Sequence, residues 1–215
     1  MKKQQHYVIT LGRKYGSGGG EVAKKLSEKL GIPYYDKEIL QMVADESGIK
    51  ESYFHLADER AGDKILYKVM KSMSPKISSP SVDGNILSDD NLFMFQSQVI
   101  QKLAEQESCI IIGRCADVVL KDHPRLCRIF INADKIPRMF RLKERLGVDT
   151  NKEIEKLMKK TDKQRSDYYN YYTGKKWADM DNYDMILDSG VLGIDTCVDV
   201  IAAYVEIRGF LEAGK

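Results

Sequence analysis

Long apolar runs are what this 215-residue sequence most plainly lacks: the longest, Val200 to Val205, is six residues, far short of the ~20 that cross a bilayer as a helix. No membrane-spanning helix is expected. Histidine is scarce, at three residues, and the four cysteines (Cys109, Cys115, Cys127, Cys197) stand far apart with no C-x-x-C pair among them. That spacing suits neither a disulfide framework nor a zinc site, so reduced, buried thiols are expected. Excess charge of one sign is also lacking. The 34 Lys and Arg against 32 Asp and Glu leave +2, which gives no whole-molecule attraction for nucleic acid or an anionic membrane. Behind Lys2 and Lys3 the only apolar stretch is the short run Tyr7 to Leu11. A secretory leader is therefore not expected, and a cytoplasmic location is.

What is present is the make-up of a globular protein, 43% apolar and 31% charged residues, which excludes disordered and fibrous classes. The length suits one domain, or one domain carrying an inserted lobe. Short β-rich runs alternate with longer helical patterns. Tyr7 to Leu11 reads as a strand and Glu21 to Leu30 as a helix, with Val22, Ala23, Leu26 and Leu30 on one face and Gly31 as its stop. Ile32 to Asp36 reads as a second strand and Lys37 to Glu46 as a second helix, followed by helical pattern over about 51–73. Pro75, Pro80, five serines and Gly84 make 74–91 a long loop. Leu92 to Glu107 is amphipathic and leads into Cys109-Ile110-Ile111-Ile112, an apolar run of the kind a strand buried on both faces requires. Leu126 to Ile131 and Tyr183 to Leu187 are later strands, and a final helix runs from about Asp195 to Leu211. This alternation predicts a parallel sheet covered on both faces.

Between the first strand and the first helix, Gly12 to Gly20 contains five glycines in nine residues. Glycine lets backbone amides approach a ligand, and the helix behind adds free N–H groups and the positive end of its dipole, so the turn suits phosphate; the bland reading is a flexible surface turn. It is not a G-x-x-x-x-G-K-[ST] match. With Gly18 on the second motif glycine, Gly19 stands where lysine belongs, Gly20 where the hydroxyl residue belongs, and Arg13 at the first glycine. Ser17, Arg13 and Lys14 are the candidates to substitute.

Taken together, Arg13-Lys14-Tyr15-Gly16-Ser17-Gly18-Gly19, Gly31-Ile32-Pro33-Tyr34-Tyr35-Asp36-Lys37-Glu38 and Ile111-Ile112-Gly113-Arg114-Cys115-Ala116-Asp117 resemble the cytidylate kinase-like family. This family is a branch of the P-loop nucleoside monophosphate kinases. Asp162-Lys163-Gln164-Arg165, Tyr168-Tyr169 with Tyr172-Thr173-Gly174, and Tyr183 to Asp188 extend the resemblance over nearly the whole chain. It implies a three-layer α/β/α P-loop fold over residues 1–215, with a substrate-binding lobe inserted at about 37–107 and a lid at about 134–175. The implied activity is transfer of a phosphoryl group from ATP to CMP or a similar acceptor, with Mg²⁺ held mainly through the ATP phosphates and water. The implied ATP site is Arg13, Lys14, Tyr15, Gly16, Ser17, Gly18, Gly19, Gly20 and Glu21. A nucleotide-binding module without turnover, motivated by Gly19, and a kinase of another small acceptor are the alternatives.

The remaining candidates carry two readings each. Asp36 matches the family's substrate-binding aspartate, or caps the following helix. Arg114 emerges from the carboxyl end of a strand, where a guanidinium grips a monophosphate bidentately; it and Asp117 are otherwise structural. On a helix from about Asp134 to Leu146, Ile136, Met139, Phe140 and Leu146 fall on one face, with Arg138, Arg141 and Arg145 opposite. Such a face is usually solvated, but in the lid segment it suits contacts to a transferring phosphate. Arg165 is implied as a lid arginine oriented by Asp162, or the two form a local pair. Tyr168, Tyr169 and Tyr172 stack on a base or pack the lid, and Trp177 packs. His55 and His123 are read as surface or structural. A homodimer is the default expectation. Residues 134–165 hold eleven Lys and Arg against six Asp and Glu, so the near-neutral total conceals a basic segment of +5.

Overall fold

A computed structural model describes residues 6–36, 89–147 and 150–211. The helices expected at 37–46 and over 51–73, His55, and most of the inserted lobe lie outside these residues. The described elements are β1 (Val8–Arg13), α1 (Gly19–Leu30), β2 (Tyr34–Tyr35), α2 (Asp89–Gln106), β3 (Cys109–Ile112), α3 (Ala116–Val119) and β4 (Leu126–Asn132), then α4 (Lys135–Leu146), α5 (Asn151–Thr173), β5 (Met185–Asp188), α6 (Ser189–Leu192) and α7 (Ile194–Ile207). The loop expected to reach 91 gives way earlier, since Asp89 already begins α2. The second strand is shorter than its apolar pattern suggests, with only Tyr34 and Tyr35 paired.

The five strands form one all-parallel sheet in the order β2-β3-β1-β4-β5. Their alternation explains why both faces are covered. Ile9, Leu11, Ile110, Ile112, Ile129 and Ile131 point to the face where α1 and α7 pack, while Val8, Cys109 and Ile111 point to the other, under Val99, Ile100 and Leu103 of α2. Each such aliphatic side chain contributes about 1.5–3 kcal/mol relative to exposure. All four cysteines are free and buried, as expected. Among the described residues no helix is long and apolar enough to cross a membrane. With β1 central, the turns after β1, β3 and β4 converge at one edge, the place where ligands bind in open α/β sheets.

Candidate functional site

The turn after β1 is tied down by its own backbone. Lys14 N–H donates to the Ile131 carbonyl at 3.2 Å, and Ser17 N–H and Oγ both donate to the Lys14 carbonyl, at 3.2 and 2.8 Å. Gly16, at φ +81°, has a left-handed conformation, and a β-carbon there would lie 2.9 Å from the Arg138 carbonyl, so two independent constraints demand glycine. Gly18 is the N-cap of α1, with no side-chain cap bond. Ser17 is fully buried, its hydroxyl turned into the loop. Of the three candidate substitutes for lysine, Arg13 and Lys14 line the cleft in front of the turn and Ser17 does not.

That cleft, about 700 Å³, is walled by the turn, by Glu21 and Asp36, and by Arg141 and Arg145 of α4. Five cations (Arg13, Lys14, Arg141, Arg145, Arg165) face three carboxylates (Glu21, Asp36, Glu144) around it. A second cleft of about 430 Å³ lies over the end of β3, lined by Gly113, Arg114 and Asp117 and by an aromatic wall of Tyr168, Tyr169, Trp177 and Tyr183. Arg13, Tyr15, Ile112 and Arg165 line both clefts. Asp36, grouped with Arg114 and Asp117 by its sequence context, instead faces the loop cleft.

Helix α5 fastens itself to the turn. Asp162 accepts Tyr15 N–H at 2.8 Å and pairs with the Arg138 guanidinium, whose Nε donates to the Tyr15 carbonyl at 2.7 Å. Arg165 Nη1 donates to the Arg13 carbonyl at 2.8 Å. The guanidinium carbons of Arg145 and Arg165 lie 5.2 and 5.6 Å from the Tyr15 ring centre, within cation–π range. Arg141 reaches Ser189 Oγ and its carbonyl at 3.1 and 2.7 Å, and Ser189 Oγ donates to the Ser17 carbonyl at 2.5 Å.

The face assignment of α4 is corrected by this arrangement. Ile136 and Phe140 are each 71% exposed, whereas Arg138 is only 7% exposed beside buried Met139 and Leu142. Arg138 tolerates burial because Asp162 and the Tyr15 carbonyl satisfy its charge and its donors. It is absent from both cleft linings and braces the turn from behind.

Three consecutive left-handed residues follow β3: Gly113 (φ +71°), Arg114 and Cys115 (both φ +56°). Each non-glycine residue costs about 1–2 kcal/mol in this conformation, and strain of this kind clusters at functional sites. The turn aims Arg114 into the aromatic cleft, with its guanidinium carbon 5.5 Å from the Tyr168 ring centre. Tyr169 donates to Asp117 Oδ2 at 2.7 Å and Tyr183 to the Trp177 carbonyl at 2.6 Å. Burial raises the Asp117 carboxyl above its ordinary value, with the Tyr169 hydroxyl opposing the shift. Burial and the Asp117 charge push the Cys115 thiol up to about 12, so it stays protonated near neutral pH and is no nucleophile. Trp177, Tyr168 and Tyr169 pack together as well as lining the site, whereas Tyr172 only packs, with Phe93 stacked on it at 4.0 Å. The sequence pattern places Tyr15 in the glycine turn with no role for its ring and Tyr183 in a strand, whereas both residues line the clefts. His123 accepts from the Arg125 backbone in a tight turn, a structural role.

The sequence profile of the cytidylate kinase-like family matches residues 8–191. The chain belongs to the cytidylate kinase-like family. A crystal structure of an uncharacterized protein from Eubacterium ventriosum ATCC 27560 is 33% identical to this cytidylate kinase-like protein, with a TM-score of 0.70, 94% of this chain and 99% of that one covered. A shikimate kinase from Bacteroides thetaiotaomicron shares the fold at 14% identity and a TM-score of 0.50, with 93% and 98% covered. No curated protein matches. The three-layer α/β/α architecture is thus that of P-loop kinases.

Proposed function

We propose that this cytidylate kinase-like protein transfers the γ-phosphoryl group of ATP to a nucleoside monophosphate, CMP foremost. The observation that carries the reading is the pair of clefts meeting at Arg13 and Arg165. A triphosphate in the cationic loop cleft and an acceptor in the aromatic cleft would face each other across those two guanidiniums. Amides at the start of α1 and the helix dipole favour phosphate in the first; aromatic walls and Arg114 favour a base and a monophosphate in the second. In this reading residues 37–107 carry the acceptor lobe and 134–175 the lid.

Phosphoryl transfer needs positioning and charge neutralisation more than covalent help. An acceptor phosphate oxygen forms the new bond to the γ-phosphorus as the bond to the bridging oxygen breaks, and ADP leaves with that electron pair. A phosphate monoester with a second pKa near 6 is already ionised at neutral pH, so no general base is required. Arg165 and Arg141 neutralise the transferring charge, while Arg138 and Asp162 position the turn. Mg²⁺ keeps its waters and binds chiefly through substrate phosphates, and Glu21 and Asp36 on the cleft wall are the carboxylates that would hold its waters. When bound, the ion would add neutralising charge.

Gly19 in the lysine position and the inward Ser17 hydroxyl favour the second reading, a nucleotide-binding module without turnover. A coupled ADP-release assay over nucleoside monophosphates, extended to sugars and hydroxy acids, separates the readings. CMP-dependent release above the ATPase background supports the first; release with a sugar or hydroxy acid alone moves the acceptor elsewhere; tight ATP binding with no acceptor used supports the module.

A further inference from the structure

Arg13 and Gly19 touch. A β-carbon built on Gly19 would lie 2.6 Å from Arg13 Cβ and 2.9 Å from Cγ, distances at the stiff base of the arginine side chain where little can give. Gly19 has no backbone reason of its own to be glycine, since its φ is not positive, unlike those of Gly16 and Gly18. Its neighbour Gly20 has nothing within 4 Å of a would-be β-carbon, so the restriction is specific to position 19. The far end of the arginine reaches the end of β3, where Nη1 lies 2.3 Å from the place a Gly113 β-carbon would take. Its side chain thus runs from the first turn of α1 across the sheet edge, lining both clefts, with Arg165 holding its carbonyl at 2.8 Å.

In the register of the P-loop pattern, Arg13 stands at the first glycine and Gly19 at the lysine. We infer that the two are an exchanged pair: the phosphate-binding cation of this loop is Arg13, and Gly19 is glycine because the arginine fills the space a side chain there would need. The ligand chemistry is the β- and γ-phosphates of a nucleoside triphosphate, gripped by a guanidinium, which offers bidentate donors where lysine offers a point charge. This rests on the kinase reading for its ligand, but the steric coupling of the two positions does not.

The test is equilibrium binding of fluorescent ATP and ADP analogues, with thermal melts, for the wild type, Arg13→Gln, Arg13→Lys, Gly19→Lys and the double variant Arg13→Gly with Gly19→Lys. Arg13→Gln is expected to lose at least about tenfold in ATP affinity and less in ADP affinity, as a charge-assisted bond to the terminal phosphate implies; Arg13→Lys retains part of the preference for ATP. Gly19→Lys alone is expected to melt lower without binding ATP more tightly, and the double variant to recover both the melting temperature and most of the affinity. Wild-type ATP affinity in Arg13→Gln, or a Gly19→Lys variant that melts normally with effects additive to those at position 13, overturns the inference. A wild type that binds ATP but phosphorylates no acceptor overturns the kinase reading alone, and the binding cycle still decides Arg13. A wild type that binds neither nucleotide overturns both.

Discussion

Asp162 on α5 accepts the backbone N–H of Tyr15 at 2.8 Å, across 147 positions of chain. The same carboxylate neutralises Arg138, which holds the other side of that residue through its carbonyl. One ion pair therefore couples the shape of the glycine turn to both α4 and α5.

Removing the acid exposes this linkage. Asp162→Ala leaves a buried guanidinium unpaired, and the expected loss of stability is about 3 kcal/mol. Asp162→Asn should cost less, because the amide oxygen still accepts from Tyr15. Denaturant titration of both variants checks this; an alanine variant as stable as the wild type would remove the pair from its bracing role.

Arg114 and Arg165 should separate kinetically. Arg114→Ala is expected to raise the acceptor KM by roughly 10- to 100-fold, the value of a charge-assisted hydrogen bond, with little change in kcat. Arg165→Ala should lower kcat by about 10²–10³ with KM less affected, as for a group aimed at charge that develops in the transition state. Steady-state kinetics with ATP saturating give both numbers. Identical profiles for the two variants would reject this division of labour.

Ser189→Ala tests the rear support of the turn. The Ser189 hydroxyl is fully buried, donates to the Ser17 carbonyl and accepts from Arg141. Its loss strands a carbonyl and a guanidinium donor, which predicts about 1–2 kcal/mol of destabilisation together with weaker ATP binding. A variant that melts lower yet binds ATP normally would confine Ser189 to packing.

Much of the fold was legible in local patterns. The run Cys109 to Ile112 announced a strand buried on both faces, and five glycines between a strand and a helix marked the turn that walls the larger cleft. Long-range partners were not legible. Arg138 read with Arg141 and Arg145 as a contact to a transferring phosphate, because its burial behind the turn depends on Asp162, 24 positions later on another helix, and on the Tyr15 carbonyl. Periodicity alone put Ile136 and Phe140 inward, where the structure leaves them exposed. The left-handed backbone at Arg114 and Cys115 carried no signal in residue type either, since neither is asparagine or glycine.

Asp117 supplies a pH prediction. Its folded-state pKa is raised, chiefly by burial, so the folded state binds the proton more tightly than the unfolded chain does. Stability from this group is greatest below its unfolded value and declines as pH rises through the raised folded value. Asp117→Asn, which still accepts from Tyr169, should therefore melt above the wild type at neutral pH. The difference should shrink toward pH 3 to 4. Melting curves across that range check it, and a constant difference would place the effect in packing instead.

The most direct measurement is phosphorus NMR of the protein with ATP, Mg²⁺ and CMP. The predicted result is growth of the two CDP resonances as the ATP γ signal falls and ADP appears in equal amount. A CMP signal that stays unchanged, with ATP intact or split only to ADP and free phosphate, would contradict phosphoryl transfer to CMP.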